Sequence, residues 1–278
     1  MSPTANSSNP SSAARAQFIS LHAGFTSLLG PNAYARRLVI DDEGKQVFHE
    51  AGIYLPQQRL VVLSSNRLAE PHDQTDQYGC VVHVPLDDIP PPAPSKEVED
   101  LSSEEQKSLY SKIAVLRGTQ AGQNLVLPNG ATNWTDSNGK EAVLWCEQGK
   151  HDLSSSDPMQ AHVHSALVAY VPSPSAFTSS PTTVKTDVLL DQFDGQRFSS
   201  LNDVVQHSAS GAVFFTDPDY GVEQLFKRPH SFQKGDHAYA PNGVYVWQPQ
   251  TGAVKLVDTN FIKRECERGA YCVIEADD

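Results

Sequence analysis

The chain has 278 residues, and its 21 Lys and Arg residues against 33 Asp and Glu residues give a formal net charge of −12. Nucleic acid and anionic membrane surfaces are therefore poor partners, because both carry negative charge. No apolar run approaches the roughly 20 residues of a membrane-spanning helix. We expect a globular protein whose ligand is neutral or sugar-like, or includes a cation.

Residues 1–20 are polar and rich in serine, with no apolar segment typical of a signal peptide. We predict a disordered tail, with one short helix around Ala16 to Leu21, and a cytoplasmic location.

The cysteine and histidine residues do not have the regular spacing of a typical metal site. Cys80, Cys146, Cys266 and Cys272 form no C-x-x-C pair, which favours free thiols over a disulfide framework or a zinc site. His162 and His164 alternate as they would on one face of a strand. They are either two metal ligands without a third nearby or part of a half-exposed strand edge.

Short apolar segments separated by turns form three similar groups, which are spaced about 75 residues apart. Each of the three repeats is expected to contain about four strands. The first has a strand-turn-strand over 46–66, with its second strand at 60–63, and further strands at 80–85 and 113–116. The second has a strand-turn-strand over 124–149, with its turn at 136–139, and further strands at 165–171 and 184–190. The third has a strand that begins at 204–205 and further strands at 212–216, 243–248 and 253–258. The insert at 88–107 is rich in proline and then acidic, and Ser102 to Glu105 has the pattern of a helix N-terminal cap. Such repeats predict an all-β fold, and specifically a β-propeller.

Residues 197–221 form the most informative stretch. Polar residues Asn202 and Asp203 precede one predicted strand, and Thr216 and Asp217 follow the next. Because a hairpin reverses direction between them, both pairs are expected at the same end of the sheet. These residues either terminate strands and shape turns or form a site.

The other two repeats carry polar residues at the corresponding place. His49 and Glu50 begin the first repeat, and Asn129 and Gly130 begin the second. In a propeller the first strands of successive blades surround a central channel. We therefore expect these side chains to converge there with Asn202 and Asp203.

The segments Asn202-Asp203-Val204-Val205 and Phe215-Thr216-Asp217-Pro218, with Tyr220-Gly221, resemble the SMP-30/gluconolactonase/LRE-like family. That family consists of six-bladed β-propellers, many of them metal-dependent lactone hydrolases. Glu50-Ala51-Gly52 is similar to the Glu-Gly-Pro that opens the family's first inner strand.

The resemblance implies roles for individual residues. Glu50 and Asn202 are expected to bind a divalent metal, which is Ca²⁺ or alternatively Zn²⁺ or Mn²⁺. Arg197, Asn202 and Asn129 are expected to contact a small lactone substrate, and Asp203 is a candidate general base. For each residue alone, the alternative is a hydrogen bond at the end of a strand.

The resemblance covers about three of the family's six blades. It predicts a partial propeller over residues 21–263 and a non-homologous C-terminal tail over 264–278. We therefore expect a truncated gene model or splice variant with little activity unless two copies assemble. A non-catalytic propeller that binds a ligand or a protein, and a fragment without function, remain alternatives. The sequence leaves the oligomeric state open.

Overall fold

The structure is a computed structural model that describes residues 48–70, 73–89, 102–110, 114–116, 125–135, 138–151, 161–172, 186–224, 226–227 and 239–259. The chain divides into two compact units, residues 1–42 with 87–111 and residues 43–86 with 112–278. The predicted tails at 1–20 and 264–278, the predicted helix at 16–21 and both C-terminal cysteines lie outside the described residues.

The described part of the larger unit is almost entirely β-structure. In chain order its strands are β1 (Glu50–Leu55), β2 (Leu60–Ser64), β3 (Leu68–Glu70), β4 (Asp73–Tyr78), β5 (Val81–Pro85), β6 (Ala114–Leu116), β7 (Pro128–Thr135), β8 (Glu141–Glu147), β9 (Lys150–His151), β10 (Ala161–Val163), β11 (Ala166–Tyr170), β12 (Thr186–Leu190), β13 (Gln192–Phe193), β14 (Gln196–Arg197), β15 (Val204–Gln206), β16 (Val213–Asp217), β17 (Gly243–Gln248) and β18 (Ala253–Asp258). The predicted all-β class is confirmed.

Three four-stranded antiparallel sheets contain most of these strands. Sheet 1 has the order β1-β2-β5-β6, sheet 2 has β7-β8-β11-β12, and sheet 3 has β15-β16-β17-β18. The predicted units of about four strands correspond to these sheets. The short pairs β3-β4, β9-β10 and β13-β14 were not predicted, and neither was the helix α2 (Tyr220–Glu223) between β16 and β17.

Sheet 2 lies between the other two sheets, because the side chains of β8 alternate between two hydrophobic cores. Leu144 and Cys146 belong to a core cluster shared with sheet 3, whereas Val143 and Trp145 belong to a cluster shared with sheet 1. Successive side chains of a strand point to opposite faces, so both faces of β8 are buried. Cys80 and Cys146 are buried free thiols, as predicted.

The first strands of the three sheets lie side by side. The middle strand β7 packs against both β1 and β15. A hydrogen bond from the Gly130 N–H to the Asn202 carbonyl, 2.8 Å long, joins the beginnings of β7 and β15. The polar residues that begin these strands therefore lie at one end of the assembly of sheets.

In the smaller unit, helix α1 spans Ser103–Tyr110. The predicted cap is present: the Glu105 N–H donates to the Ser102 hydroxyl at 3.3 Å, and the Ser102 N–H donates to the Glu105 carboxylate at 2.9 Å. This reciprocal pair is a capping box. Among the helices in the described parts of the chain, none combines the length and apolarity needed to cross a membrane.

Candidate functional site

A cleft of about 690 Å³ opens where the three first strands begin. This volume falls within the range of roughly 300–1,000 Å³ typical of small-molecule sites. The residues lining it include His49, Glu50, Asn66, Arg67, Asn129, Gln148, Asn202, Asp203, Thr216, Asp217, Asp219, Tyr220, Gln224 and Asn242. The structure thus brings together four of the five residues that the sequence singled out.

Two β-bulges shape the cleft from the first strands. In β1 the pairing shifts between Glu50, opposite Ser64, and Ile53, opposite Val62. A bulge inserts an extra residue and re-aims the neighbouring side chains. Ala51 within this bulge has φ 57°, in the left-handed region that favours glycine.

The corresponding bulge in β7 lies beside Asn129. Pairing with β8 shifts between Pro128 and Ala131, so Asn129 and Gly130 occupy the bulge. An ideal Cβ on Gly130 would lie 2.3 Å from the Asp203 carboxylate and 2.6 Å from the Asn202 carbonyl. Only glycine permits this approach, which places β7 directly against the residues that begin β15.

The two asparagines form a hydrogen-bonded pair. The Asn129 amide donates to Asn202 Oδ1 at 2.5 Å, and the Asn202 amide lies 3.5 Å from Asp203 Oδ2. The backbone N–H of Asp203 donates to the Thr216 hydroxyl at 3.1 Å. A continuous chain of polar groups therefore runs from sheet 2 to sheet 3 along the cleft.

The carboxylates of the cleft interact across the sheets. Burial, followed by the negative charge of Asp203, raises the pKa of Glu50 to about 7. Burial also raises the pKa of Asp203, and His49 opposes that change. His49 Nε2 lies 3.4 Å from Glu50 Oε1, and burial and the charge of Arg67 lower the pKa of this imidazole. The Glu50 side chain is partly buried, whereas Asp203 is exposed at the surface of the cleft.

Two further carboxylates hold the backbone behind the cleft asparagines. Glu147, at the end of β8, accepts the N–H groups of Val126, Leu127 and Gly149 at 2.8–3.1 Å. Asp217, at the end of β16, accepts those of Ser199 and Ser200 at 2.8 and 2.7 Å. Each carboxylate thereby fixes the segment two residues before Asn129 or Asn202.

Buried Lys227 acts on both of these carboxylates. Burial raises the pKa of Glu147 and of Asp217, whereas the positive charge of Lys227 lowers both. Lys227 is only 4% exposed, and its ammonium group lies 5.3 Å from the centroid of the Tyr239 ring. Asp217, which the sequence placed among the site groups, lines the cleft but uses its carboxylate to hold the backbone.

Arg197 lies apart from the other predicted site residues. It belongs to the β13-β14 hairpin, where its guanidinium pairs with the Asp191 carboxylate. It is absent from the residues that line the cleft in the described part of the chain. His164 is exposed between β10 and β11, and the side chain of His162 lies outside the described residues.

The donor groups in the cleft are of the chemical type that binds a hard cation. Carboxylate and amide oxygens are the ligands that Ca²⁺ prefers, and a cation bound near Glu50 would offset the burial and the negative charge of Asp203 that raise the pKa of Glu50. The donors are few, however. Among the described residues, no cluster of three or more His, Cys, Asp or Glu side chains could hold a metal ion.

Several cleft residues were not identified from the sequence. Arg67, Gln148, Tyr220, Gln224 and Asn242 all come from the connections between the second and third strands of the sheets. The sequence offers one partial signal, because Pro241-Asn242-Gly243 repeats the Pro128-Asn129-Gly130 motif of β7.

Comparison with known proteins bears on the family. No protein-family model matches the chain. Lactonohydrolase oryL of Aspergillus oryzae is 32% identical over 102 residues, and a gluconolactonase of Zymomonas mobilis is 49% identical over 45 residues. The resemblance to the SMP-30/gluconolactonase-like family is confirmed.

The gluconolactonase-like similarity is limited in extent. The matched segments cover 35% and 16% of this chain, and only 21% and 12% of the two relatives. A solved X-ray structure that was provisionally named a gluconolactonase has a TM-score of 0.45 and 15% identity, covering 86% of this chain and 57% of that one. The chain therefore spans only part of the proteins it resembles.

Proposed function

We propose that the chain hydrolyses a sugar-type lactone at the cleft, with a divalent cation held by Glu50 and Asn202 as cofactor. The observation that carries this proposal is the meeting of Glu50, Asn129, Asn202 and Asp203 in one cleft, formed by three sheets that we interpret as propeller blades. The names of the two relatives support lactone chemistry.

Each residue has a definite task in this proposal. Asp203 accepts a proton from the attacking water, and the burial that raises its pKa makes it a stronger base than a solvated carboxylate. Asn129 and Asn202 orient the lactone through their amides, which their mutual hydrogen bond and the Gly130 contact hold in place. Glu50 and Asn202 would hold the cation, whose charge would polarise the lactone carbonyl.

The test is hydrolysis of gluconolactone by the purified chain, followed by proton release with and without Ca²⁺. We expect Ca²⁺-dependent turnover that Asp203→Asn reduces by about 100-fold, as is typical for loss of a general base. Glu50→Gln should remove the Ca²⁺ dependence of turnover, because it removes a metal ligand. Asp187→Asn is the matched control, because Asp187 is exposed on β12 and lies outside the cleft.

Binding of Ca²⁺ is measured separately by calorimetry. Loss of the Ca²⁺ binding heat in Glu50→Gln supports the role of Glu50 as a metal ligand, independently of the turnover that is measured. Turnover that persists undiminished in Asp203→Asn would refute its role as base. Binding of lactone without turnover by the wild-type chain would favour the non-catalytic alternative.

A further inference from the structure

Arg67 gives the cleft a positive charge that the proposed hydrolysis does not use. It follows β2 and lines the cleft, half-buried. Within the described residues it is the only Lys or Arg that lines the cleft, and its guanidinium contacts no carboxylate there. Burial lowers its pKa, and a nearby anion would offset the cost of burying the charge.

Neutral groups hold Arg67 in place. Asn66 Oδ1 accepts the Arg67 backbone N–H at 2.8 Å, and the guanidinium carbon lies 5.8 Å from the Phe226 ring centroid. Arg67 Nη1 donates to Gln77 Oε1 at 3.3 Å, and the Gln77 amide in turn donates to the Gln224 carbonyl at 2.9 Å. These contacts fix the side chain, while most of its five N–H donors have no further partner among the residues that the structure describes.

His49 lies beside Glu50 and is also influenced by the charge of Arg67. Arg67 lowers the pKa of His49, whereas the charge acting on Glu50 is that of Asp203, and the charge acting on Asp203 is that of His49. The lining of the cleft thus carries acidic groups, Glu50 and Asp203 among them, and the cationic group of Arg67. An anionic group on a ligand is repelled from Glu50 and Asp203 and attracted to Arg67, which sets the orientation of the ligand.

We infer that Arg67 forms a carboxylate subsite, so that the preferred lactones carry a free carboxylate remote from the lactone carbonyl. A planar guanidinium placed over an aromatic ring can match a carboxylate with two parallel hydrogen bonds. The inference rests on the proposed function for the lactone part of the ligand. The carboxylate part rests on Arg67 and its contacts.

Two lactones that differ at one position test the subsite. Gluconolactone is neutral, and the corresponding glucarolactone carries a carboxylate in place of the terminal hydroxymethyl group. Their binding to the intact chain is measured by calorimetry at mildly acidic pH, where lactones hydrolyse slowly, and their kcat/KM values are measured where turnover occurs. We expect the wild-type chain to favour glucarolactone by about tenfold or more, as one charge-assisted hydrogen-bonded pair would give.

Variants then assign the preference to Arg67. Arg67→Gln should abolish the preference for glucarolactone, and Arg67→Lys should keep part of it, since the charge remains and the planar fork is lost. Arg59→Gln, in the exposed turn between β1 and β2, is the matched control and should leave the preference unchanged.

The outcomes separate the two proposals. Preferential binding of glucarolactone without turnover supports the subsite and refutes lactone hydrolysis. Turnover of both lactones at equal efficiency in the wild-type chain refutes the subsite and leaves hydrolysis supported. Should Arg67→Gln fail to fold, the wild-type preference for glucarolactone and its reduction in Arg67→Lys decide the question. If both variants fold and the preference is unaltered in both, the inference is overturned.

Discussion

Replacing Gly130 with alanine tests the contact on which the cleft depends. The added Cβ would lie 2.3 Å from Asp203 Oδ1, 2.6 Å from the Asn202 carbonyl and 2.9 Å from the Asp203 Cα. Two of these atoms belong to the backbone, so a side-chain rotation cannot relieve the overlap. Overpacking of this kind costs about 1–3 kcal/mol. Separating β7 from β15 also weakens the 2.8 Å hydrogen bond from Gly130 to Asn202, which contributes about 1 kcal/mol.

We therefore expect Gly130→Ala to lower the free energy of unfolding by about 2–3 kcal/mol. The assay is urea denaturation followed by tryptophan fluorescence, since Trp145 is fully buried in the core beside the cleft. Gly52→Ala is the matched control. Gly52 lies in the equivalent bulge of β1, and its added Cβ would meet nothing within 4 Å.

The reasoning also predicts an effect on the site. Displacing Asn202 from Asn129 should reduce lactone binding in Gly130→Ala and leave it unchanged in Gly52→Ala. Equal stability of the two variants, within about 0.5 kcal/mol, would show that the first strands of sheets 2 and 3 do not approach as closely as we describe.

Three further predictions concern single side chains. Ala51→Gly should stabilise the chain by about 0.5–1 kcal/mol in thermal unfolding, because glycine removes the cost of the left-handed φ of 57°. Asp217→Asn should lower stability by about 2–3 kcal/mol, because an amide cannot accept both N–H groups of Ser199–Ser200, whereas exposed Asp187→Asn should change little. Burial lowers the pKa of His83 from 6.5 to about 4, so the unfolded chain binds the proton first, and on acidification from pH 6.5 to about 4 this residue should contribute a loss of about 3 kcal/mol. The carboxyls of Glu50, Glu147 and Asp217, whose pKa values are raised to about 7, act in the opposite direction, so the His83 contribution is measured as the difference between the wild-type chain and His83→Gln in urea titrations. His83→Gln should lose less stability than the wild-type chain over this range, and identical pH dependence of the two would contradict the assignment.

The four-stranded units were predictable because their strands are apolar runs bounded by turn residues. Val213 to Phe215, for example, alternates between core and partly exposed positions as a half-buried strand does. The short pairs lacked this signal. Strand β4 reads Asp-Gln-Thr-Asp-Gln-Tyr, and β9 has only two residues, Lys150 and His151. Their pairing depends on neighbouring chain segments that carry no local pattern.

The site was predictable where position along a strand determines it. Glu50, Asn129 and Asn202 begin first strands, so the repeat alone aligned them. Arg67 was missed because its partners Gln77 and Phe226 come from distant parts of the sequence. Arg197 has the spacing to Asn202 that the family resemblance implies, but spacing could not reveal that Asp191 pairs with it.

The three connections that follow β2, β8 and β16 all leave their sheets at the end where the cleft opens, and each contains an inserted element: β3-β4, β9-β10 or α2. The first strands below them are fixed by bulges, a glycine contact and buried carboxylates, and they tolerate little change. The connections contribute Arg67, Gln148, Tyr220 and Gln224 to the lining of the cleft. We therefore expect that exchanging these three connections among related proteins alters ligand preference, while the first strands that line the cleft are kept unchanged.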